Sequence, residues 1–125
     1  MKQSNNDLMH EDLKYIFHPC TQMKDHETLP LIPIKKAKGS YIMDYDNNKY
    51  LDCISSWWVN LFGHSNKYIN KKLHKQSKKL EHVIFAGFTH KPAIKLATRL
   101  IKMTPKPLQK VFFADNGSSA VEIAL

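Results

Sequence analysis

The chain reads as an α/β protein, and three stretches carry that reading. The apolar run Val111-Phe112-Phe113-Ala114 has the length and bounds of a buried strand, and the polar turn Asp115-Asn116-Gly117-Ser118 leads from it into alanine-rich residues at helical spacing. Two strand-like runs flank Asp46-Asn47-Asn48 as the arms of a hairpin flank its turn. Two further stretches, opening at Asn66 and Thr89, place apolar residues along one face of a helix.

Taken in order, residues 7–17 have helical character, with Leu8, Leu13, Ile16 and Phe17 as the apolar face. His18-Pro19 ends it, because the residue before proline is pushed out of the helical region. Residues 21–33 read as a loop with two prolines. The hairpin follows: 34–38, Gly39, a strand over 40–44, the turn at 46–48 and a return over 49–53. Residues 54–64 show neither strand alternation nor helical period, yet hold Trp57, Trp58 and Phe62 beside Gly63. Such aromatics plug a core or wall a pocket for a flat or apolar ligand. Adjacent in a loop, the two indoles face opposite sides, so one faces something other than the core. A helix is expected from the Asn66 cap to about Leu80. The next is capped by Thr89, tolerates Pro92 in its first turn, and buries Ala93, Ile94, Ala97, Leu100 and Ile101. Pro105 and Pro107 close it, and a strand over 110–114 comes last.

Composition narrows the function classes. With 125 residues, 42% hydrophobic and 10% aromatic, the chain is globular in type and long enough for one small core. No apolar stretch approaches the ~20 residues that span a bilayer. The N-terminal Met1-Lys2-Gln3-Ser4-Asn5-Asn6-Asp7 lacks the apolar centre of a secretion signal, so a cytoplasmic address is expected. Cys20 and Cys53 are too few for a disulfide framework and make no metal-ligand pair. The net charge of +8 comes from 19 basic residues, of which only Arg99 is arginine. Readers of phosphates and base edges favour arginine's bidentate fork, and Lys67, Lys71, Lys72, Lys75, Lys78 and Lys79 decorate the solvated side of an amphipathic helix. No nucleic-acid partner is expected. The seven histidines form no H-x-x-x-H and no other ligand spacing, so no metal is expected.

The turn at 115–118 supports two readings. Strand, glycine turn and helix start aim free backbone N–H groups at an anion, with Gly117 permitting close approach and Ser118 adding a hydroxyl. Equally, Ser118 or Ser119 can cap the helix, with Glu122 completing a capping box.

A longer set of landmarks goes further. Leu51-Asp52-Cys53-Ile54-Ser55-Ser56-Trp57-Trp58, Gly63-His64, the string from His82 to Ile94 with Thr89-His90-Lys91-Pro92-Ala93-Ile94, Met103-Thr104-Pro105-Lys106-Pro107-Leu108, and Val111 to Glu122 occur in that order. Together they resemble the front part of the class III aminotransferases of pyridoxal-phosphate fold type I, in the branch of the adenosylmethionine–8-amino-7-oxononanoate aminotransferases, the diaminopelargonic acid synthases. The resemblance runs from about His18 to Leu125. The paired tryptophans and the Thr-His-x-Pro-Ala-Ile string are specific to the branch, and the Gly-Ser-x-Ala-Val-Glu turn is common to class III.

That resemblance implies the α/β fold of fold type I. Residues 1–65 would be a small-domain segment with the hairpin and a substrate wall, and 66–125 the start of the large cofactor domain. It implies ping-pong transamination: S-adenosylmethionine donates the amino group and 8-amino-7-oxononanoate becomes 7,8-diaminononanoate, a biotin precursor. Pyridoxal 5'-phosphate is the implied cofactor, with Gly117 and Ser118 matching the phosphate turn, Trp57 the substrate wall, and Trp58 a structural role. The family's cofactor-bonding lysine and its substrate-pairing arginine lie beyond Leu125, so the chain is expected to be an N-terminal fragment with no catalytic residue of its own. The parent would be a homodimer. One departure stands out: the family's His-Pro-Tyr-Thr is here His18-Pro19-Cys20-Thr21, and a thiol is a far weaker donor than a phenol. Another amine donor, such as lysine, stays open. So do two rival readings: another class III ω-aminotransferase, and a stand-alone binding domain without catalysis.

Overall fold

A computed structural model of the chain describes residues 4–125. Its elements run α1 (Asn5–Tyr15), a 3₁₀ turn (Met23–Glu27), β1 (Ile34–Lys38), β2 (Tyr41–Asp44), β3 (Lys49–Leu51), α2 (Ser55–Trp58), α3 (Lys67–Ser77), α4 (Lys91–Met103) and α5 (Gly117–Ala124). They fall into two compact units, the first reaching to Gln76 and the second running from Ser77 to Leu125.

In the first unit α1 is opened by a reciprocal capping box, Ser4 accepting from the Asp7 N–H while the Asp7 carboxylate accepts from the Ser4 N–H. The Ser4 N–H and the Ser4 hydroxyl, both donating to it, hold the Asp7 carboxyl below its usual range. The helix stops at Tyr15, two residues earlier than its periodicity suggests. Ile16 is already extended and Phe17 is 83% exposed, so neither joins the helical face. Asn5 ties α1 to the sheet: its carbonyl accepts from the Tyr45 N–H at 3.1 Å and its amide donates to Asp46. The stretch expected as plain loop holds the Met23–Glu27 turn, started by the Asp25 N–H bonding to the Gln22 carbonyl.

The expected hairpin is a three-stranded antiparallel meander, β1-β2-β3, with a register irregularity between Ile34 and Lys36. Asp44 ends β2 and is the one buried residue among those described, at 1% exposure. Burial alone would raise its carboxyl, but bonds from the Asn48 backbone and amide and from the Tyr50 hydroxyl outweigh that and hold it low. The same contact pushes the Tyr50 phenol up. This carboxylate locks the β2–β3 turn.

In the second unit α4 opens at His90 rather than Thr89, with Pro92 in its first turn as expected. Ala93, Ala97 and Ile101, spaced by one helical turn, are half-buried, whereas Ile94 and Leu100 remain exposed. α3 ends at Ser77, three residues short of Leu80. Residues 110–114 do not form the expected strand. A strand is defined by the neighbour it bonds to, and the described residues of this unit include none.

Candidate functional site

Two places carry the chemistry singled out in the sequence, one in each unit. The first begins where β3 ends. Asp52 donates its N–H to the Ser40 carbonyl, continuing the sheet edge, and places its carboxylate beside the next turn. That turn is α2, and it is left-handed: φ is 50° at Ser55, 47° at Ser56, 65° at Trp57 and 62° at Trp58. Four consecutive side-chain-bearing residues in this region are rare, because Cβ crowds the following carbonyl. At about 1–2 kcal/mol each, the conformation costs roughly 4–8 kcal/mol in total.

The surroundings enforce it. One carboxylate oxygen of Asp52 accepts from the Ser56 N–H at 2.9 Å, and the other accepts from the Ser56 hydroxyl at 2.7 Å and meets His64 Nε2 at 2.7 Å. The Ser56 N–H, the His64 ring and the Ser56 hydroxyl together hold the Asp52 carboxyl down to about 2. Within the turn, Trp58 N–H reaches the Ile54 carbonyl at 2.8 Å and Asn60 N–H the Ser55 carbonyl at 3.1 Å.

His64 is itself fixed from below. Its backbone exchanges two hydrogen bonds with Gly39, at 2.8 and 3.0 Å, where the chain turns from β1 to β2. Gly63 has φ 77°, and a Cβ there would lie 3.1 Å from the Gly39 Cα. Ser65 donates its hydroxyl to the Ala37 carbonyl at 2.7 Å. The sheet thus grips both ends of the segment that displays the tryptophans.

Trp57 and Trp58 meet edge to face, ring centroids 6.2 Å apart with planes at 89°. They are 59% and 71% exposed, so neither is buried among the described residues, Trp58 no more than Trp57. Sequence reasoning isolated the indoles but missed Asp52 and His64, whose signal was an aspartate four residues before Ser56 and a histidine following a glycine. Cys20, at the position of the family's tyrosine, is exposed with φ 59°.

The second place is the head of α5. Its cap is Asn116, not Ser118 or Ser119: with extended backbone, the Asn116 side chain reaches the Ser119 N–H at 2.8 Å. Gly117 and Ser118 therefore occupy the first helical positions, where N–H groups have no intrahelical partner. Among the described residues neither amide is bonded, nor is the Ser118 hydroxyl, and nothing lies within 4 Å of a Cβ built on Gly117. Three donors and a helix's positive end face open space. This arrangement suits a phosphate. No group of His, Cys, Asp or Glu among the described residues is placed to hold a metal ion, and no helix among them is long and apolar enough to cross a membrane.

A helix head with free N–H donors is a common way for a protein to hold an anion. The family model of the class-III aminotransferases matches residues 22–125, and the chain belongs to that family. It is 57% identical over 114 residues to the adenosylmethionine-8-amino-7-oxononanoate aminotransferase of Helicobacter pylori, covering 91% of this chain and 26% of that protein. It is 44% identical to the solved structure of the enzyme of the same name from Methanocaldococcus jannaschii, with TM-score 0.89 over 97% of this chain and 28% of that one. An omega transaminase from Pseudomonas jessenii, solved in complex with PMP, matches at TM-score 0.84 and 32% identity, over 94% and 26% of the two chains. The fold class is thus the α/β architecture of fold type I transaminases, as the sequence resemblance implied. The chain spans about a quarter of the length of the curated relatives it matches.

Proposed function

We propose that this segment works within an aminotransferase of biotin synthesis, converting 8-amino-7-oxononanoate to 7,8-diaminononanoate with S-adenosylmethionine as amino donor. The observation that carries the reading is the donor set at the head of α5, in a chain 57% identical to a relative named for that reaction. The assigned cofactor is pyridoxal 5'-phosphate. When bound, it supplies the electron sink through which an amino group moves between carbon skeletons. The Gly117 and Ser118 amides and the Ser118 hydroxyl would hold its phosphate, helped by the dipole of α5.

Trp57 serves as the apolar wall for the ketone's methylene chain, each buried CH₂ contributing ~0.8 kcal/mol. Residues 1–65 form the small-domain segment and 66–125 the beginning of the cofactor domain. No residue of the segment is assigned a proton-transfer step. The enzyme acts as a homodimer in the cytoplasm, a setting that suits the two free thiols Cys20 and Cys53.

The test uses the intact aminotransferase carrying this segment. It should aminate 8-amino-7-oxononanoate with S-adenosylmethionine, and Ser118→Ala should weaken pyridoxal-phosphate binding by roughly tenfold, the loss of one hydrogen bond to a charged group. Unaltered affinity in that variant removes Ser118 from the phosphate site. A second reading, a class III ω-aminotransferase of other substrates, is favoured by the likeness to omega transaminases and by Cys20. Failure to aminate the ketone while other amines are processed would select it.

A further inference from the structure

The left-handed turn at Ser55–Trp58 is far from the conformation its residues would choose, and strained backbone persists only where its neighbours over-determine it. Here one side chain ties the turn to the segment held on the sheet. The Asp52 carboxylate takes the Ser56 N–H, the Ser56 hydroxyl and the His64 ring on its two oxygens, with 6% of its side chain exposed. None of these bonds goes to an indole. Its bonds end at Ser56, the residue before Trp57, and at His64, which is anchored to Gly39 of the sheet.

From this juxtaposition we infer that Asp52 is a positioning residue for substrate recognition: by joining Ser56 to the sheet-held His64, it sets the orientation in which the Trp57 indole meets an aliphatic ketone. The inference rests on the reading of Trp57 as substrate wall. Ser56 is the second member of the device and His64 its fixed point. A wall displaced by a relaxed turn loses contact along the methylene chain, so long substrates suffer more than short ones. Loss of correctly folded enzyme, by contrast, lowers all substrates alike.

The experiment compares kcat/KM for 8-amino-7-oxononanoate with that for an analogue ketone shortened by several methylenes, in the intact enzyme. The ratio is independent of the fraction folded. Trp57→Ala should lower it by about fourfold for each methylene the wall had covered. Asp52→Ala should lower it at least ~3-fold, Asp52→Asn should restore it to within ~2-fold by keeping an acceptor for the Ser56 N–H, and Asp52→Ala added to Trp57→Ala should change nothing further.

A lowered ratio in Trp57→Ala with an unchanged one in Asp52→Ala overturns the positioning role and leaves the wall standing. An unchanged ratio in Trp57→Ala overturns the wall, and the positioning role with it. Effects of the two alanine changes that multiply in the double variant also overturn it, because Asp52 would then act independently of Trp57. Where Asp52→Ala yields no folded enzyme, Ser56→Ala takes its place: a ratio lowered ~2-fold supports the role and an unchanged ratio overturns it.

Discussion

Asp44 and Asp52 lie eight residues apart and do different work with the same group. Asp44 closes a turn from within, satisfied by Asn48 and Tyr50, and its burial is compatible with charge only because those donors surround it. Asp52 works between segments, joining the end of β3 to His64 twelve residues on. Its carboxyl lies near 2 in the folded chain against 3.8 for a free side chain. A depressed carboxyl stabilises the fold fully above its unfolded value, and that stabilisation is lost as the pH falls from 3.8 toward 2. Acid titration of the intact protein should therefore show a loss of stability across that window that Asp52→Asn lacks, measured as the difference in denaturation midpoint between the two proteins. Neither aspartate is legible as important from sequence. A carboxylate's value here depends on partners four to twelve residues away, which no local pattern reveals.

At the scale of elements, the hairpin was readable because its turn chemistry is local: Asp46-Asn47-Asn48 between apolar runs admits few alternatives, and Asn47 takes the positive φ such a turn needs. The helices α3 and α4 were readable from their apolar spacing, but their ends shifted, and of the face expected on α4 only Ala93, Ala97 and Ile101 are half-buried while Ile94 and Leu100 are exposed. His90 and Asn116 stand at the cap positions where side-chain preference favours Thr89 and Ser118 or Ser119, because the cap is set by backbone direction at the entry, and His90 takes that place without a side-chain cap bond. The left-handed turn was not readable. Ser-Ser-Trp-Trp has no intrinsic reason to take positive φ, and only its placement over the sheet imposes it.

The contact of Gly63 with Gly39 offers a direct check on that placement. Gly63→Ala introduces a Cβ 3.1 Å from backbone at φ 77°, whereas Gly87→Ala at φ 89° meets nothing within 4 Å. Both strain the backbone, so Gly63→Ala should lower the thermal midpoint of the intact protein more than Gly87→Ala does. Equal midpoints in the two variants would show that the Gly39–Gly63 approach does not hold the tryptophan segment.

At the scale of the whole molecule, the exposure of its apolar side chains is what counts. No apolar side chain is buried among the described residues, and Phe17, Val59, Leu61, Phe62, Met103 and Phe112 are each at least 74% exposed. This speaks against the stand-alone binding domain and agrees with a chain that covers 26% of its Helicobacter relative. Expressed alone, residues 1–125 should aggregate and bind apolar dyes, with light scattering and dye fluorescence as the readouts; a clear, dye-free monomer would argue for an independent domain. The strand missing at 110–114 belongs to the same account, since its apolar sequence is legible but its hydrogen-bonding neighbour is not among the described residues. Surface already wet before melting cannot be wetted again. Calorimetry of the isolated chain should consequently show a heat-capacity step well under the ~12–15 cal/mol/K per residue typical of globular proteins, and a shallow trace in place of a peak.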